Sequence, residues 1–232
     1  MGRARRGGPW AARDLLLLGV ALAVAGGCVR LGVWQLDRLR QRRARNAAVQ
    51  EARARPPLAL PAQGLPPDSV WQRHIVAHGA YDYAYERPWP RLYGGAVGVG
   101  LVTPLRLADG SAVLVDRGWV PAPDLAGADF TAYRERDAAV TVKGLAVAAP
   151  RALGDVDPNA LADSVPYPLL PFVVQLLPDG AASGQPPLRA PPPALDDGPH
   201  LSYAIQWFSF AVIVLVGTTF LVRRERAAGA PR

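Results

Sequence analysis

Two stretches of the chain lack charge, and they frame everything between them. Leu201 to Val222 is 22 residues without a charged side chain. At about 1.5 Å per residue, a helix of that length measures roughly 33 Å, enough to cross a hydrocarbon core with modest tilt. Arg223, Arg224 and Arg226 follow at once, whereas Arg189, Asp196 and Asp197 precede it. Because positive flanks stay cytoplasmic, the pattern predicts a cytoplasmic tail over 223–232. Near the other end, Leu15 to Val29 is 15 uncharged residues, and continuing past Arg30 to Leu36 gives a segment of 22. Arg30 would then lie about 9 Å from the outer end, where a long side chain can snorkel to the interface. A cleaved signal peptide remains the rival account of this run. Arg3, Arg5 and Arg6 precede it, and Ala23-Val24-Ala25 resembles a cleavage site. If both segments span, residues 1–14 share the cytoplasm with the tail, and the long stretch between them lies outside.

Between the spans the pattern changes twice. Residues 37–55 are rich in Arg and good helix formers, which predicts an extension of the first helix that Pro56-Pro57 stops. Short apolar runs punctuated by Gly and Pro follow: His74–Tyr81, Gly98–Leu107, Ala112–Val120, Val140–Val147 and Phe172–Leu177. Asp109-Gly110 between two of them is the strongest hairpin signal in the chain. These runs predict a small antiparallel β domain with one or two helices, near Asp124–Arg136. Residues 186–200 hold six prolines and read as a stiff linker. The expected architecture is therefore an α+β membrane protein. Transmembrane helices at 15–36 and 201–222 flank a β-rich extracytoplasmic domain at 56–185.

The formal charge of +7 invites a nucleic-acid reading, but its distribution argues against one. Residues 56–200 carry 10 Lys and Arg against 15 Asp and Glu, while the remainder carries 16 against 4. The basic charge sits beside the apolar runs, as membrane flanks do, and no duplex-binding face is expected. The single cysteine, Cys28, excludes an intramolecular disulfide framework and a cysteine-cluster metal site.

Few motifs carry chemistry. His74 and His78 have the spacing of a helical metal pair, but their run alternates as a strand would. On a strand the two rings stand about 13 Å apart, too far to share one ion. Gly94 to Gly100 lacks the Lys-Ser/Thr and the following helix of a phosphate loop, and reads as a glycine-rich hairpin approach. No nucleophile elbow, zinc-protease motif or acid pair is present, so no catalytic residue is assigned. In Asp116-Arg117-Gly118-Trp119, period two places Arg117 and Trp119 on one face. Two readings of that pair stand: a clamp for a partner's acidic group, or a strand-end salt bridge beside a core Trp. At the outer interface, His200, Tyr203 and Trp207 share one stripe of the second helix, and Arg30, Trp34 and Arg38 share one stripe of the first. An aromatic and Arg belt explains most of this. A histidine at a helix entrance opposite paired Arg also suits an axial haem ligand with propionate partners.

At these residues the chain resembles the SURF1 family of cytochrome c oxidase assembly proteins. The resembling pieces are Leu31-Gly-Val-Trp-Gln-Leu-Asp-Arg38, Arg73 through Gly79-Ala-Tyr81-Asp82, and Gly95 to Pro104-Leu105. They continue with Asp109-Gly110 to Val115-Asp-Arg117-Gly-Trp119-Val-Pro121, and His200-Leu-Ser-Tyr203-Ala-Ile-Gln206-Trp207-Phe208. The resemblance implies an uncleaved first span and a bacterial cell-membrane protein with both termini cytoplasmic. It also implies an assembly factor without turnover, whose partner is the oxidase's catalytic subunit or its assembly intermediates. Bacterial members are thought to hold haem a, and the family's histidine corresponds to His200. An Asn-rich approach usually precedes that histidine; here it is Asp197-Gly198-Pro199.

Overall fold

A computed structural model of the chain describes residues 12–61, 67–122, 128–147, 156–178 and 184–228. It divides into two units: the ends of the chain, 1–47 with 195–232, and the middle, 48–194. In the first unit, α1 (Ala12–Ala54) is one unbroken helix of 43 residues, so the first span and its Arg-rich extension are continuous. A second helix begins at His200 and runs to Ala228. Both contain windows apolar and long enough to cross a membrane. The protein is thus two candidate membrane helices attached to a β-rich unit.

That unit holds seven strands: β1 (Leu58–Leu60), β2 (His74–Tyr81), β3 (Arg87–Tyr93), β4 (Ala96–Arg106), β5 (Ala112–Pro121), β6 (Val140–Val147) and β7 (Leu169–Leu176). Two four-residue helices, α2 (Pro67–Val70) and α3 (Pro158–Leu161), lie between them, so the helix from His200 is α4. Five strands form a closed ring: β2 pairs with β6, β6 with β7, β7 with β5, β5 with β4, and β4 with β2 again. Ile75, Ala77, Leu105, Val113, Val115, Val142, Ala146 and Val174 belong to one buried apolar cluster. Alternation on half-buried strands supplies those side chains every second residue.

The expectation of a wholly antiparallel domain is corrected by this closure. A ring with an odd number of strands cannot alternate direction at every pair, and here β5 and β7 run parallel. Outside the ring, β1 also pairs parallel to β2. Two strands escaped the sequence pattern. β1 is only three residues long, and β3 carries Pro88 and Pro90, which ordinarily argue against a strand. β3 is at the end of the sheet, pairs only with β4, and so tolerates both prolines. The helix expected near Asp124–Arg136 is a single 3-10 turn, Thr131–Tyr133, in its described part; residues 124–127 lie outside the described residues. Asp129 accepts from the backbone N–H and hydroxyl of Thr131, which favours a local turn over a longer helix.

The proline-rich segment is not a free spacer along its whole length. Leu188 exchanges two backbone hydrogen bonds with Trp119, at 2.7 and 2.9 Å, and the Ala190 carbonyl accepts from Gln175. It takes the edge of β5 past the point where β7 is paired to it, which satisfies backbone groups that would otherwise be orphaned. Closure of the ring depends on Gly79. A Cβ there would stand 2.1 Å from the Arg106 carbonyl oxygen of β4. We expect Gly79→Ala to destabilise the β unit by about 1–3 kcal/mol, since backbone must shift to admit the methyl. Thermal unfolding followed by near-ultraviolet circular dichroism should show a midpoint several degrees lower.

Candidate functional site

Small residues line the sides on which α1 and α4 meet. Ala21, Ala25, Cys28 and Gly32 are buried on α1 at spacings of four, three and four, matched by Ala204 and Ala211 on α4. Ala25, Cys28 and Ala211 form one cluster with Trp207 packed against it. A Cβ on Gly32 would stand 2.6 Å from the Phe208 ring, which packs directly against the α1 backbone there. Small side chains let membrane helices approach closely, where dispersion can hold them together. The chain ends of the two helices lie side by side, with Arg13 donating to Glu225. At the other end, the Asp196 carbonyl accepts from Arg42 and Asn46, and Arg43 pairs with Asp197 at 2.8 Å.

His200 opens α4 on the face that meets α1. Its Nδ1 lies 2.9 Å from Gln35 Oε1, and in the tautomer that donates from Nδ1 to this oxygen, Nε2 keeps its lone pair. Nε2 has no protein hydrogen-bond partner among the described residues. A Cβ on Gly198, whose φ is +66°, would stand 3.6 Å from it. Second-sphere hydrogen bonding of this kind is how proteins set the tautomer and orientation of a ligating imidazole. Trp207 lies on the same face, and Tyr203 beside it is 45% exposed.

The expected pairing of this stripe with Arg30, Trp34 and Arg38 is corrected. At 100° per residue those three lie about 140° around α1 from the seam of Ala21, Ala25, Cys28, Gly32 and Gln35. Trp34 is 47% exposed, and Arg38 stands over its ring at 5.4 Å. Spacing showed correctly that the three share a stripe. It could not show that small residues, not Arg, take the inner face.

In the β unit, Asp116-Arg117-Gly118-Trp119 also departs from simple alternation. Gly100 faces Trp119 and Val102 faces Asp116, so β5 has one residue more than β4 across this interval. Gly118, at φ +125°, absorbs the bulge, and a Cβ there would meet the Leu188 carbonyl at 2.8 Å. Asp116 and Trp119 therefore share a face, and Arg117 takes the other. Trp119 stacks on Tyr93 and donates to the Arg91 carbonyl, while Arg91 pairs with Asp116. Arg117 is 2% exposed and its charge is met internally. It pairs with Glu86 at 2.9 Å, donates to the Tyr133 carbonyl, and stands 5.1 and 5.2 Å from the rings of Tyr81 and Tyr83. Thr103 donates to the same Glu86 oxygen at 2.7 Å. Burial pushes the Tyr81 phenol well above its ordinary value, against the opposing pull of Arg117.

The SURF1 family model matches residues 22–212, a range that takes in most of the α1–α4 seam and all seven strands. The chain belongs to the SURF1 family. A SURF1-like protein of Monosiga brevicollis is 26% identical over 217 residues, covering 84% of this chain and 83% of its own length. Uncharacterized SURF1-like proteins of Mycobacterium bovis and Mycobacterium tuberculosis are each 28% identical over 226 residues, covering 87% of this chain and 82% of theirs. The SURF1 family is linked to cytochrome c oxidase assembly.

Within this SURF1 chain, sequence reasoning missed Gln35 and Glu86. Each is the polar partner of a residue that had been singled out, but neither lies near it in sequence. His74, by contrast, lies in strand β2 and borders a cleft of about 710 Å³, and His78 contacts the Thr141 hydroxyl at 3.1 Å. The Arg117 geometry carries a prediction. Arg117→Ala strands the Glu86 carboxylate in the core and should cost about 3–5 kcal/mol. Adding Glu86→Gln should return part of that loss, because it removes the uncompensated charge. Limited proteolysis and thermal unfolding of the single and double variants check the ordering.

Proposed function

We propose that this protein is a membrane-anchored assembly factor that holds haem a on His200 while the catalytic subunit of cytochrome c oxidase matures. It acts as a carrier and stabiliser without turnover of its own. The observation that carries this reading is the His200–Gln35 hydrogen bond at 2.9 Å. It orients an imidazole at the junction of two candidate membrane helices and leaves Nε2 as the ligating nitrogen. The donor fits a haem iron, the cargo that supplies the oxidase with its redox centre. Trp207 lies about two turns further along the same face of α4, packed against Ala25, Cys28 and Ala211. Arg30 and Arg38 do not fit as propionate partners, since their stripe turns away from His200.

That last point also favours a second reading, a scaffold that stabilises an oxidase subunit through protein contacts alone. Absorption spectra and a pyridine haemochrome assay on the full chain, purified in mild detergent, separate the two. Under the haem reading, His200→Ala abolishes haem retention, Gln35→Ala weakens it about 10–100-fold, and His74→Ala and His78→Ala retain it. Unchanged haem content in His200→Ala, or a wild-type protein without haem, favours the scaffold.

The same reading places both termini in the cytoplasm of a bacterial cell and the β unit outside. The Arg223, Arg224 and Arg226 cluster supports it, as does the neighbouring position of Arg13 and Glu225. Thiol labelling of intact cells should reach Ser69→Cys and not Ala228→Cys. The opposite pattern overturns the orientation.

A further inference from the structure

Arg30 is the one charge within the 22-residue span 15–36, and it makes no hydrogen bond or ion pair with any described residue. It lies on the flank of α1 turned away from α4, among the exposed side chains of Val29, Leu31, Val33 and Trp34. A cleft of about 440 Å³ opens there, lined by Arg30, Leu31, Val33, Trp34 and Asp37. Asp37 is paired with Arg40 at 2.7 Å and is not Arg30's counter-ion. A guanidinium in an apolar surround is costly until it meets an anion.

We propose that this cleft binds the phosphodiester of one outer-leaflet glycerophospholipid, with Arg30 as the phosphate ligand and Trp34 packed beside the glycerol region. The inference rests on α1 and α4 crossing a bilayer. Arg30 lies about 9 Å below the outer end of the span, so its extended side chain reaches headgroup depth. Trp34, one turn further out, falls at the level where indole rings favour the interface. The alternative occupant, a third membrane helix carrying a carboxylate, suits the level of this cleft less well. Close helix packing uses small residues, and the exposed ones on this flank (Gly19, Ala23, Gly26 and Gly27) lie deeper than Arg30, while Gly32 is committed to α4. At the cleft itself the exposed side chains are Leu31, Val33, Trp34 and Arg30.

The test uses the full chain, the Arg30→Gln variant, and Arg45→Gln as a charge-matched control. Each is purified in mild detergent and titrated with dioleoylphosphatidylglycerol or dioleoylphosphatidylcholine, and bound lipid is counted by native mass spectrometry. Wild type and Arg45→Gln should retain one phospholipid of either kind. Arg30→Gln should retain about tenfold less, as expected on losing a charge-assisted hydrogen bond. Millimolar inorganic phosphate should not displace the lipid. Equal retention by Arg30→Gln overturns the site, as does displacement by inorganic phosphate. Loss of a copurifying protein, rather than lipid, on Arg30→Gln also overturns it. Extraction of membranes with alkaline carbonate separates the underlying reading: retention of all three proteins in the pellet supports spanning, and release of wild type overturns it.

Discussion

The close approach of α1 and α4 is the constraint on which the two-helix unit depends. It exists because alanine, cysteine and glycine recur at the spacing that keeps one stripe of α1 against its neighbour. Once that stripe is chosen, every other residue of the two helices has its direction assigned. Gln35 turns inward and meets His200; Arg30, Trp34 and Arg38 turn outward. A bulkier residue at Gly32 would collide with the Phe208 ring and force that side chain to move.

An equivalent role in the β unit falls to the ion pair of Arg117 and Glu86. A buried guanidinium is tolerated only when its donors are met, and here a carboxylate, a carbonyl and two aromatic faces meet them. The pair connects β5 to the segment just before β3, and Thr103 of β4 donates to the same carboxylate. Gly118 makes this possible, since its bulge turns Arg117 to the opposite face from Asp116 and Trp119. Two separate charge networks then occupy the two faces, Arg117 with Glu86 on one and Arg91 with Asp116 on the other.

Much of the β unit was legible as apolar runs. His74–Tyr81 and Val140–Val147 are strands at those bounds, and the Asp109-Gly110 turn joins β4 to β5. What escaped were features whose cause is remote in sequence. The three residues of β1 form a strand only because β2 is beside them. The prolines of β3 are tolerated only because that strand is at the end of the sheet. The docking of Leu188 exists only where β5 has an unoccupied edge. Likewise Arg117 and Trp119 were recognisable as unusual, but not the bulge that separates them.

Local chemistry and periodicity therefore determined the elements themselves: two long apolar helices, a continuous Arg-rich extension, alternating strands and a hairpin. Each follows from interactions a few residues apart, where apolar spacing and backbone preference suffice. The SURF1 resemblance was likewise visible in the linear order of short motifs. Only the tertiary structure decided which faces meet, which polar groups pair, and where the ring closes. Those outcomes depend on residues such as Gln35 and His200, or Glu86 and Arg117, that are far apart in the chain. Their pairing depends on packing geometry that no local pattern encodes, down to single glycines that let one backbone reach another.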